Sequence, residues 1–84
     1  MTKKTHTLLD IAPGQQAEII GFASHTDPDL QERLLAYGLI AGQRVDVLGQ
    51  KPLTLLQIEH MELALERILA GCIQVKTQSK PRPT

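Results

Sequence analysis

Three histidines, His6, His25 and His60, and one cysteine, Cys72, are the side chains of this 84-residue sequence best suited to hold a soft metal ion; Asp27 and Asp29 add oxygen donors beside His25. A structural zinc site draws its ligands from two close Cys or His pairs. No such pair occurs here, so His25 reads as part of a solvated turn and Cys72 as a small core residue, and no metal ligand is assigned. Nucleophilic chemistry is no better served. Ser24 and Ser79 are the only serines, Cys72 has no histidine near it in sequence, and the carboxylates form no pattern that would pair two in a cleft. The six glycines are scattered, and none leads to a Lys-Ser or Lys-Thr step in the manner of a phosphate loop. These absences predict a chain with no catalytic residues and no cofactor.

The elements that would position any site are constrained by composition. Hydrophobic residues make up 42% of the chain, but Phe22 and Tyr37 are the only aromatics, so the core is expected to be aliphatic. The formal net charge of zero divides unevenly: Lys3, Lys4, Lys76, Lys80 and Arg82 lie towards the ends. Residues 5–75 hold four basic residues against all nine acidic ones, a net of −5. A body of that sign repels a phosphate backbone, which argues against nucleic acid as a partner. A single cysteine excludes an intrachain disulfide. Met1 to Asp10 contains no apolar stretch of signal-peptide length, and no window approaches the roughly 20 apolar residues of a membrane span. A cytoplasmic location without membrane insertion is the expectation.

Along the chain, Thr7-Leu8-Leu9-Asp10 places an N-cap three residues before an acid, and Pro13-Gly14 ends the turn it starts. Ala17 to Phe22 is rich in β-formers, with Gly21 where a bulge is common. Thr26 or Asp27 can cap a helix that has Pro28 at its first position, runs to Tyr37 on apolar residues Leu30, Leu34, Leu35 and Tyr37, and stops at Gly38. Arg44 to Leu48 alternates as a half-buried strand does, Gln50-Lys51-Pro52 reads as a turn, and Leu53 to Glu59 as a third strand. Met61 to Glu66 fits both periods, since Met61, Leu63 and Leu65 alternate while Met61, Leu65, Ile68, Leu69 and Cys72 share a helical face. Ile73 to Val75 is a further strand. The domain is therefore drawn at 7–75, with a flexible tail at 1–6 and a disordered one at 76–84. Leu53 to Leu56 at a sheet edge would allow weak homo-oligomers.

Leu39-Ile40 stands apart, because two large apolar residues lie between Gly38 and Gly42 in a connection. They either plug one end of the core or form an exposed apolar patch rimmed by Arg33 on the helix. On the second reading Arg33, Leu34, Gly38, Leu39 and Ile40 form a partner-binding surface.

Taken together, Thr7 to Gly14, the segment Arg33-Leu34-Leu35-Ala36-Tyr37-Gly38-Leu39-Ile40-Ala41-Gly42, Val45-Asp46-Val47 and Lys51-Pro52-Leu53 resemble the FeoA family of small accessory proteins in bacterial ferrous iron transport. The pattern Arg-Leu-Leu-x-x-Gly-Leu-x-x-Gly is the most specific part, and the similarity extends from Thr7 to Val75. The resemblance implies a mainly β, SH3-like barrel of about five strands with one helix inserted after the first, and it turns Met61 to Glu66 into a strand followed by a short helical turn. It also implies action on the cytoplasmic GTPase portion of the membrane transporter FeoB. A different class of function is a free-standing SH3-like module that acts on a metal-dependent transcriptional repressor.

Overall fold

A computed structural model describes residues 6–78. The first strand, β1 (His6–Thr7), runs straight into a 3-10 turn at Leu8–Asp10. Thr7 and Asp10 cap each other there: the Leu9 amide donates to Thr7 Oγ1 at 3.3 Å, and the Thr7 amide donates to Asp10 Oδ2 at 2.9 Å. The turn drives Leu8 into full burial. Strand β2 (Gln16–Phe22) follows, carrying a register shift between Ile19 and Gly21. Helix α1 (Pro28–Ala36) starts from Asp27, whose carboxylate accepts the Asp29 amide, with Pro28 in the first turn where its missing N–H costs nothing.

The remaining elements are β3 (Arg44–Gly49), β4 (Thr54–Ile58), β5 (Met61–Leu65), the single turn α2 (Arg67–Ala70) and β6 (Ile73–Gln78). Met61 to Leu65 is thus a strand. Its period-2 pattern wins because a two-residue turn at Glu59-His60 folds it back on β4, pairing Ile58 with Met61 through to Thr54 with Leu65. Six antiparallel strands lie in the order β1-β6-β2-β3-β4-β5, giving an SH3-like fold one strand richer than expected. The extra strand is β1, whose His6 and Thr7 pair with Val75 and Gln74.

Three boundaries move. Lys76 to Gln78, expected as part of the C-terminal tail, instead continue β6 beside Gln16 to Glu18, and the rest of that expected tail, residues 79–84, lies outside the described residues. His6 belongs to β1, and the rest of the expected N-terminal tail, residues 1–5, is likewise outside. Leu53 to Leu56 is not at an edge: Leu53 precedes β4, and β4 lies between β3 and β5, because the β5 hairpin takes the outer position.

The sheet does not close on itself by backbone pairing, since β1 and β5 end the strand order. A side chain spans the gap instead. Gln50 Nε2 donates to the carbonyls of Leu8 at 2.8 Å and Ile11 at 2.7 Å, while its Oε1 accepts from Thr54 Oγ1 at 2.8 Å. Beneath it lies an aliphatic core that includes Leu8, Ile19, Leu34, Leu39, Val47, Leu56 and Ile73, all without solvent exposure. No helix among the described residues is long and apolar enough to cross a membrane. Replacing Gln50 by Leu leaves two carbonyls and the buried Thr54 hydroxyl without their partner, at a cost of about 3 kcal/mol. Urea denaturation should register this as a lower midpoint with an unchanged slope.

Candidate partner-docking site

The site begins with how α1 ends. Gly38 has φ +95°, a conformation that costs an L residue about 1 kcal/mol or more, and no atom lies within 4 Å of where its Cβ would be. The Gly38 amide donates to the Leu35 carbonyl at 2.9 Å, and the Leu39 amide reaches back to Leu34 at 3.1 Å. This is the Schellman stop, in which the residue after the left-handed glycine packs on the last turn of the helix. Leu34 and Leu39 are both wholly buried in one core cluster. The chain then returns to the sheet, as the Gly42 amide donates to Ile19 at 2.7 Å and the Ile19 amide to Gln43 at 2.9 Å.

These facts divide the five residues expected to bind a partner. Leu34 and Leu39 are core residues: a surface role for them is overturned by the Schellman geometry, which turns Leu39 inward. Gly38 shapes the turn and touches the surface only in part. Arg33 is exposed and lines a hollow with Asp27, Asp29 and Leu30 near the helix start. Ile40 is left on the outside, 47% exposed.

Ile40 has company that the sequence did not reveal. Tyr37, 40% exposed, and Met61, 45% exposed, line the same shallow groove of about 350 Å³, together with Ile58, Gln43 and the turn residues Glu59 and His60. Helix α1 and its stop supply one wall, and the β4–β5 turn supplies the other. Three large apolar side chains half in water around a concavity are what a docking surface requires. A single cue was available beforehand: Tyr37, one of two aromatics, stands next to the helix-stopping glycine. Met61 carried no signal, since its neighbour across the groove is 21 residues away.

The metal candidates stay apart. Among the described residues no three His, Cys, Asp or Glu side chains are close enough to hold an ion. His6 Nδ1 lies 3.9 Å from Asp10 Oδ2, and the Cys72 thiol donates to the Ile68 carbonyl at 3.5 Å within its own turn.

A family model described as the FeoA domain matches residues 6–77. The chain belongs to the FeoA family. Solved FeoA structures share the fold at low identity. An iron uptake regulatory protein, FeoA, superposes with a TM-score of 0.79 at 18% identity, covering 90% of this chain and 100% of its own. The zinc-complexed FeoA of Stenotrophomonas maltophilia, an SH3 domain protein, gives 0.74 at 21%, covering 84% of this chain and 89% of its own. IdeR of T. acidophilum gives 0.80 at 19%, covering 93% of this chain but only 36% of IdeR. No curated protein matches the sequence. Membership associates this FeoA chain with ferrous iron transport.

The inward and outward residues of this FeoA turn separate cleanly by mutation. Leu39→Ala should cost about 2–4 kcal/mol in a urea titration, as a cavity in a fully packed core does. Ile40→Asp, at a half-exposed position, should stay within about 0.5 kcal/mol of the parent.

Proposed function

We propose that this protein is a non-catalytic, cytoplasmic accessory protein of bacterial ferrous iron transport that docks on the GTPase membrane transporter FeoB and supports Fe(II) uptake. The observation that carries the reading is the groove at Tyr37, Ile40 and Met61, which leaves large apolar side chains half exposed in a chain whose remaining leucines, isoleucines and valines are mostly needed for its core. Family membership supplies the transport context. The net of −5 over residues 5–75 suits a protein partner with a basic surface better than it suits nucleic acid.

A second reading has its own support, since the same fold forms 36% of the IdeR chain and 43% of a manganese-dependent transcriptional repressor chain. In that case the chain is a free-standing module that modulates a metal-dependent repressor. The genes beside this one separate the two: a large membrane GTPase favours transport, and a repressor favours regulation.

The direct test is binding of the purified chain to the intact FeoB-type transporter and to its cytoplasmic portion. Association is expected, and the double variant Tyr37→Asp, Ile40→Asp should weaken it by about tenfold or more, as loss of a desolvated apolar anchor does. Ile68→Asp, at a 79% exposed position outside the groove, should bind as the parent does. An intact transporter that neither binds the chain nor slows in its absence would overturn the reading.

A further inference from the structure

The two outer edges of the sheet are treated very differently. On one side β1 spans two of the described residues, and its Thr7 amide is already committed to Asp10. Short length and internal capping of that kind blunt an edge. On the other side β5 runs for five residues in unbroken register with β4 and, among the described residues, pairs with no other strand. It contains no proline, no lysine and no bulge, the usual guards of an edge strand.

The hairpin register tells which groups are free. A two-residue turn makes Ile58 and Met61 a hydrogen-bonded pair, and such pairs alternate along an antiparallel ladder. Met61, Leu63 and Leu65 therefore direct their N–H and C=O groups to β4. The N–H and C=O groups of Glu62 and Ala64 point away from the sheet, and both residues are exposed.

Side chains along this edge sort by face. Met61 and the half-buried Leu63 share the face of the buried Leu65, and Met61 continues into the groove of Tyr37 and Ile40. Glu62 lies on the opposite face with Ala64, and Glu66 continues the chain in extended conformation just beyond. Glu59 sits in the turn at the other end. Arg67 follows Glu66, and its guanidinium donates to the Gln50 carbonyl at 3.2 Å. A second copy of this chain would set acid near acid on the exposed face, a costly arrangement in a sheet pair.

The geometry points to the β5 edge as the place where an extended segment of the partner adds a seventh strand, one whose residues alternate between apolar and Lys or Arg. Its backbone pairs with Glu62 and Ala64, its apolar residues cover Met61 and Leu63, and its basic residues lie over Glu62 and Glu66. The inference deepens the docking role proposed above and rests on it for the identity of the partner.

The probe is a capped peptide of about ten residues alternating lysine and valine, titrated into the 15N-labelled full chain, with an alternating glutamate–valine peptide as control. Slowing of the Glu62 and Ala64 amide exchange by about tenfold is expected with the lysine peptide alone. Ala64→Pro removes an outward N–H without touching the ladder to β4, and Glu62→Lys reverses the charge while keeping the backbone; each should weaken binding about tenfold. Equal binding of both peptides, unchanged exchange at Glu62 and Ala64, or full affinity in both variants would overturn the proposal, as would protection of these amides by self-association without peptide. The same variants tested on the transporter distinguish the two readings. Parent-like transporter binding by Ala64→Pro and Glu62→Lys sinks the edge and keeps docking, whereas a responsive peptide with a silent transporter keeps the edge and sinks that partner.

Discussion

A single side-chain amide, that of Gln50, stands where the backbone ladder of this sheet gives out. The strand order ends in β1 and β5, which do not pair, so nothing in the sheet itself holds the Leu8–Asp10 turn against the start of β4. Gln50 does so with three hydrogen bonds, two of them to carbonyls 42 and 39 residues earlier in the chain. Its backbone carbonyl takes a fourth from Arg67, which fixes the start of α2 over the same seam. A neutral amide suits this place because it satisfies donors and acceptors together and brings no charge whose desolvation must be offset. Thr54, fully buried and hydrogen-bonded to Gln50, is tolerated in the core for the same reason.

With the seam closed, the aliphatic core decides what is left outside. Helix α1 buries only Leu34 fully, with Leu30 its one partly buried apolar residue, so a nine-residue helix contributes little apolar area and depends on its ends for its position. Asp27 and Pro28 set its start, and the Gly38–Leu39 stop sets its finish. Turning Leu39 inward has a geometric consequence: the next residue, Ile40, and the last helical neighbour, Tyr37, emerge on the outer side together. The groove is thus a by-product of the helix stop, completed by Met61 from a hairpin that is remote in sequence but adjacent in the fold.

Much of this was legible from local chemistry. The Thr7–Asp10 capping box, the Asp27–Pro28 start, the Gly38 stop and the alternation from Arg44 to Leu48 each depend on residues within one turn of each other, so sequence reads them directly. Met61 to Leu65 is ambiguous by period alone because Met61 and Leu65 fit both patterns; the family resemblance makes it a strand, and its pairing with β4 is the physical reason it is one. Gln50 was read as part of a turn, since nothing in a Gln-Lys-Pro step reveals carbonyls some 40 residues away.

The candidate site was harder to read than the fold for one physical reason. Leu39 and Ile40 are indistinguishable in hydrophobicity, and which of them faces the core depends on the hand of a single glycine, at φ +95°. The motif containing Arg33, Leu34, Gly38 and Leu39 is specific because it is a folding device, in which Leu34 and Leu39 anchor the stop and Gly38 permits it. A device of that kind identifies a family through its backbone, while the residues free to meet a partner are those it does not use. Tyr37, Ile40 and Met61 are not used by that device, and of the exposed large apolar side chains they are the ones gathered around the groove.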